Sequence, residues 1–437
     1  MSPKDLLERD AKLLWHPYTQ HKAAQTPLAI ASAKGASLFD ENGQQYLDMI
    51  SSWWVNLHGH GRKELSEAIA AQADRLDHVH FAGVTHQPAV DLSEQLLELA
   101  GFVDKGRVFY SDNGSTAVEV ALKICSQFWS NIGETRDSLL ALRHGYHGDT
   151  VGAMSVGGTS GFFKSFEPWM LKVEYVAAPN CWWNSSTEEE EALSLQHLDN
   201  LIKNRATDFC GFIVEPLIQG AAGMRFHRPA FLKAVCEMAR AAGIPVIFDE
   251  VMTGFYRTGS PFAFMQCDFI PDLLCLSKGI TGGILPLGAT IASPKLFDAF
   301  MGDSFSLALA HGHSFTGNPI SCAAALASIH LLKTTDAQNL VSQISDSLTK
   351  KMTALVHSSS KIEKPRVLGG IAAFEIKSSN PDYASAAGKP LAIFAQKHGV
   401  ILRPLGNVVY LMPPYCTTDS ELALAFDVIH SYLETLE

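Results

Sequence analysis

Between residues 107 and 291, short apolar runs alternate with longer stretches whose apolar positions recur at helical spacing. Runs at 107–110, 138–142, 173–176, 211–214, 245–248, 273–276 and 287–291 are bounded by turn residues, as buried strands are. Helical patterns at 115–129 and 229–242 stand between them. This alternation predicts an α/β domain with a mostly parallel sheet of seven strands. Residues 320–332 are apolar nearly all round, which predicts a buried helix. After residue 334 the pattern shifts to longer helices with few strands, one of them at 408–412. Near the start, strands at 37–39 and 45–48 flank DENGQ, an Asn-Gly hairpin signal. The expected division is a large domain over 51–332 and a smaller α+β domain made of 1–50 and 333–437. Glu188 to Glu191, preceded by CWWNSST, predict a surface helix with a Ser or Thr cap and an acidic first turn.

Length supports this division, since 437 residues exceed what one core fills. The net charge of −11 argues against non-specific nucleic-acid binding. No apolar run reaches the length of a membrane span, and the first residues carry scattered charges without a signal-peptide core. The eight cysteines form no CxxC pair and several sit in apolar runs, the pattern of reduced thiols in a cytoplasmic protein.

Four polar stretches follow predicted strands. In Ser111-Asp112-Asn113-Gly114-Ser115-Thr116 a turn meets a helix start, where free amides and Gly114 make either an anion site or a plain cap. Asp249 and Glu250 close one apolar run; a carboxylate there can hold a metal, act as a base, pair with a cation or simply meet water. Lys278 follows LCLS, 29 residues on, either as a snorkelling strand-end lysine or as a chemical group in the same cleft as Asp249. RHGYHGD offers Tyr146 as a flat ring, and HGHSFTGNP precedes the buried helix. The sequence HGH occurs at 58–60 and 311–313 without a carboxylate or cysteine at ligand spacing, so no metal site is expected. An amine, a carboxylate, an anion cradle and an aromatic plate together match the protein's tasks in pyridoxal-phosphate chemistry.

The order of GS, HGYHGDT, VEP, DEVMTGFYRTG, LSKGI and HGHSFTGNP resembles the class III aminotransferases of fold-type I, over nearly the whole chain. The flanks WHPYT, SSWW, RPLG and YLMPPY are similar to the biotin-pathway branch of that family. That branch aminates 8-amino-7-oxononanoate, with S-adenosylmethionine or, in some members, lysine as donor. The resemblance implies a homodimer with pyridoxal 5'-phosphate. Lys278 would be the covalent anchor and proton shuttle, and Asp249 would meet the pyridine nitrogen. Gly114 and Ser115 would hold the phosphate, with Tyr146 and Val251 on the two faces of the ring. Glu215 would orient groups beside the cofactor. Gly312, His313 and Ser314 would reach the partner's site, with His313-Ser314 standing where relatives often have Pro-Thr. Arg403 would take the substrate carboxylate beside a slot walled by Tyr18 and Trp53. One of Trp53 and Trp54 is expected in the core, because neighbours on a strand face opposite ways. Arg257 is expected to pair with Asp149. Ornithine- and 4-aminobutyrate-type relatives carry Gly-Glu-Ala-Gly where this chain has Gly220-Ala221-Ala222-Gly223, so no glutamate is expected to mask Arg403. The rivals are another class III ω-aminotransferase and a non-catalytic scaffold; the latter would be expected to lose Lys278 or Asp249.

Overall fold

The computed structural model describes residues 3–102, 106–158, 163–378 and 387–436. Near the start, strands β1 (Ile30–Lys34), β2 (Ser37–Asp40) and β3 (Gln45–Asp48) form an antiparallel meander. The predicted Asn-Gly turn joins β2 to β3, with Gly43 at φ +80° where a Cβ would be strained. The central strands are β4 (Arg107–Ser111), β5 (Ser138–Leu142), β6 (Val173–Val176) and β7 (Phe209–Val214). A small ribbon follows, β8 (Ile218–Gln219) with β9 (Arg225–Phe226), then β10 (Val246–Asp249), β11 (Leu273–Leu276) and β12 (Gly288–Ala292). The seven long strands make one sheet in the order β4-β12-β11-β10-β7-β5-β6. β5, β7, β10 and β11 are entirely buried, as strands covered on both faces must be. β12 runs antiparallel to both neighbours. Residues 277–287, which join it to β11, are too few for the helical crossover a parallel return needs.

β13 (Ile362–Leu368), β14 (Ile371–Ile376), β15 (Val400–Ile401) and β16 (Val408–Leu411) are the remaining strands, and helix Asp419–Glu434 follows them. β13, β14 and β16 form a second sheet, while β15 pairs parallel with β3 and so ties the C-terminal segment to the N-terminal meander. Helix Pro319–Thr334 is buried along much of its length and packs on helices Lys63–Arg75 and Gln87–Leu99, as its apolar surface requires. Helix Glu188–Arg205 begins at Thr187 without a side-chain cap bond. Instead, Thr187 bonds the buried Glu191, which pairs with Arg228. All eight cysteines are free; six are buried, Cys181 is half-buried and Cys416 is exposed. Among the described residues no helix is long and apolar enough to cross a membrane.

Candidate active site

Asp249 ends β10, Glu215 directly follows β7, and Lys278 lies just beyond β11. Three neighbouring strands therefore deliver an acid, an acid and an amine to their carboxyl ends, where open α/β sheets place ligands. From β4 the chain turns into helix Gly114–Asn131. Asn113 caps it, accepting from the Thr116 N–H at 3.0 Å while its own N–H donates to Thr116 Oγ1 at 3.1 Å. The Gly114 and Ser115 amides then have no intrahelical acceptor. A side chain at 114 has no room, because a Cβ would come within 2.6 Å of Val251 Cγ1. Ser115 Oγ sits 2.7 Å from Thr150 Oγ1 and accepts the Thr150 N–H at 3.1 Å. Gly148, at φ +124°, lets the loop pass Ser115; any Cβ there would collide with it.

Lys278 takes left-handed backbone, φ 46°, and its Nζ lies 4.7 Å over the Trp54 ring. Among the described residues no carboxylate stands at ion-pair distance from it. Burial pulls its pKa down to about 8, against the opposing pull of Asp249 and Glu215. Asp249 Oδ2 is 2.7 Å from His147 Nδ1, and Oδ1 accepts the Val251 N–H at 3.0 Å. Glu215 accepts the N–H groups of Tyr146 at 2.8 Å and Gly220 at 2.9 Å, and burial pushes its carboxyl up to about 7. Tyr146 donates to Asp149 Oδ1 at 3.0 Å, and Tyr18 donates to the same oxygen at 2.5 Å. A cavity of about 700 Å³ is lined by Gly114, Ser115, Tyr146, Asp249, Val251 and Lys278.

A second cavity of about 490 Å³ shares Trp54, Tyr146, Asp149 and Lys278 with the first, and adds Tyr18, Trp53, Ala221 and Arg403. The Arg403 guanidinium stacks 3.6 Å over the Trp53 ring, and Tyr18 meets that ring edge-on at 6.1 Å. Among the described residues Arg403 has no carboxylate partner. Ala221, which the sequence led us to expect beside an unmasked Arg403, lines this slot.

Two expectations need correction. Ser51–Trp54 is not a strand but a turn with φ of 49°, 46°, 69° and 73°. Trp53 lies half-exposed in the slot, while Trp54 is buried and donates Nε1–H to Tyr410 Oη at 2.9 Å. Its ring nevertheless edges both cavities, so left-handed rotation, not strand alternation, separates the pair. Arg257 does not pair with Asp149. It is fully buried and donates to the carbonyls of Pro413, Trp54 and Asn56, holding that turn in place. The loop bearing Gly312, His313 and Ser314 lines neither cavity of its own chain; it packs by Phe315 on His78, with rings 5.1 Å apart.

The class-III aminotransferase family model matches residues 18–433. The chain belongs to the class III aminotransferases. It is 45% identical to the adenosylmethionine-8-amino-7-oxononanoate aminotransferase of Synechococcus elongatus, over 97% of this chain and 99% of that one. The protein of the same name from Geobacter sulfurreducens is 38% identical, over 99% and 98%. Among solved structures, the same-named aminotransferase from Methanocaldococcus jannaschii aligns with a TM-score of 0.91 at 33% identity, covering 99% of this chain and 100% of that one. An amine transaminase from an uncultivated Pseudomonas species, in its PLP-bound form, aligns at 0.89 with 31% identity, covering 97% and 98%.

Sequence reading assigned no role to His147 or Thr150. Both lie in the quoted HGYHGDT, and only the fold reveals that one holds Asp249 and the other Ser115. Asp48 was also unmarked. It is buried, bonds Ser52 N–H at 2.9 Å and Ser52 Oγ–H at 2.7 Å, and pairs with His60 at 2.9 Å. Nothing in a strand-end aspartate announces that it anchors a left-handed turn.

Proposed function

We propose that this aminotransferase moves an amino group from S-adenosylmethionine to the ketone of 8-amino-7-oxononanoate, giving 7,8-diaminononanoate for biotin synthesis. The observation that carries the substrate reading is Arg403. It has no carboxylate partner among the described residues, and it shares an aromatic slot with Ala221 where a masking glutamate would stand. A guanidinium fork suits the carboxylate at the far end of the acceptor's methylene chain. The relatives named for this reaction support the same reading.

The first cavity fits pyridoxal phosphate. Its donor set is an amine, a carboxylate, and two free amides with a hydroxyl at a helix start, next to a cradle that any side chain at 114 would fill. When bound, that group supplies an electron sink for the substrate carbon that loses its proton. Lys278 would hold it covalently, Asp249 would pair with its pyridine nitrogen, and Gly114 and Ser115 would hold its phosphate. Tyr146 and Val251 would bracket the ring. His147 and the Val251 amide keep the Asp249 carboxylate oriented. As the neutral amine, Lys278 Nζ would take up the proton that the substrate carbon loses. A pKa of about 8 leaves roughly a tenth of the amine neutral at pH 7, against less than a thousandth for an ordinary lysine. Tyr18, Trp53 and Tyr146 give the slot aromatic walls for the acceptor's methylenes.

The same reading makes the enzyme a cytoplasmic homodimer, with Gly312, His313 and Ser314 serving the partner's site. Their loop lines neither cavity of its own chain, which supports that role. Residues 51–332 form the cofactor-holding domain, and 1–50 with 333–437 form the smaller one. Mass spectrometry of the purified enzyme with S-adenosylmethionine and the oxononanoate tests the reaction. The expected product is diaminononanoate, lost in Arg403→Ala at low acceptor concentration. Product only from ω-amines without a carboxylate would overturn the reading.

A further inference from the structure

The turn between β8 and β9, residues 220–224, carries Ala221 into the substrate slot and is gripped at both ends. At its start the Gly220 N–H donates to Glu215, whose other oxygen takes the Tyr146 N–H. At its end the grip comes from β13, in the second sheet. Arg366 is 1% exposed. Its Nε–H donates to the Met224 carbonyl at 2.7 Å, Nη2–H to the Gly223 carbonyl at 2.8 Å and Nη1–H to the Lys364 carbonyl at 2.6 Å. Its acidic neighbour, Glu375, stands 3.6 Å away and is held more closely by Lys364 at 2.9 Å. Burying a guanidinium chiefly against carbonyls costs desolvation that the weak ion pair does not offset. The turn it grips is itself strained, with Gly223 at φ +99° and Met224, which has a side chain, at φ +48°.

We propose that Arg366 is a positioning residue for acceptor selection. From the smaller sheet it fixes the backbone of residues 223–224, and so the place of Ala221 in the slot that contains Arg403. Without it the strained turn relaxes, and Ala221 no longer defines the slot wall. This rests on the acceptor reading above; the grip itself does not.

The test compares Arg366→Met, Arg366→Lys and Glu375→Gln in the full-length, cofactor-loaded enzyme. Hydrogen exchange of peptides over 217–227 is read beside the KM for the oxononanoate and the rate of the donor half-reaction. Arg366→Met should raise exchange in that turn and raise the acceptor KM about tenfold, with the donor half-reaction nearly unchanged. Arg366→Lys should recover part of both, and Glu375→Gln should move neither. If Arg366→Met does not fold, Arg366→Lys is read by the same criteria. Equal losses in both half-reactions, or unchanged exchange over 217–227, overturn the proposal. A wild-type enzyme that ignores the oxononanoate would instead remove the acceptor reading, while the exchange result still judges the grip.

Discussion

The two cavities meet at Lys278 but are built in opposite ways. The larger is assembled from regular elements. Strand ends supply Glu215, Asp249 and Lys278, a capped helix supplies two amides, and each charged group has a nearby partner or a buried wall. The slot is made from irregular pieces far apart in the chain. These are the approach to Tyr18, a left-handed turn at Ser51–Trp54, the strained turn at Gly220–Met224, and Arg403 from beyond β15. A rigid frame can hold an invariant group. A slot of loops and turns can change shape by changing single residues, as a site that selects among substrates must.

Removing a frame residue should therefore damage all substrates, and removing a slot residue only some. Lys278→Ala sits at the junction and should lower single-turnover product formation at least about a thousandfold, whatever the donor. Arg403→Ala should raise the acceptor KM roughly ten- to a hundredfold, the effect of losing a charged hydrogen-bond partner worth about 1.5–3 kcal/mol, and spare the donor half-reaction. An equal loss in both halves would erase the distinction between frame and slot. Ala221→Glu should imitate the masked relatives. It is expected to weaken the acceptor about tenfold while improving turnover of amines that lack a distant carboxylate. The frame makes a pH prediction as well. Lys278 reacts as the neutral amine, so uptake of pyridoxal phosphate by cofactor-free protein should climb with pH and level off above about 8. An uptake still climbing at pH 10 would mean that burial does not depress the amine. The smallest effect belongs to Trp53→Leu, where losing the stack under Arg403 is worth about 0.5–1 kcal/mol and should raise the acceptor KM two- to fivefold.

The same contrast decides what could be read from the chain. Strand runs such as 138–142 and 273–276 are local and apolar, and their polar ends mark candidate groups in order. The structure brings Lys278, Asp249 and Gly114, each picked out at such an end, to one cavity. The Trp53-Trp54 pair was read through strand alternation, yet positive φ at Ser51 to Trp54 is held by Asp48 just before the turn and by two distant anchors, Met412 through Ser51 Oγ at 2.6 Å and Arg257. No local propensity predicts four non-glycine residues left-handed in succession. Arg257 was misplaced for the same reason, since its three carbonyl acceptors come from segments far apart in the chain. Arg366 is an unremarkable arginine in a strand until β13 is packed against the 223–224 turn.

The central claim is that the frame accepts an amine from S-adenosylmethionine and the slot passes it to the oxononanoate. Single-turnover absorbance of the cofactor-loaded enzyme tests it most directly, with S-adenosylmethionine and lysine in parallel. The account predicts that S-adenosylmethionine alone bleaches the bound-cofactor band and that the oxononanoate then restores it. Bleaching by lysine but not S-adenosylmethionine, or a band that the oxononanoate leaves bleached, would contradict it.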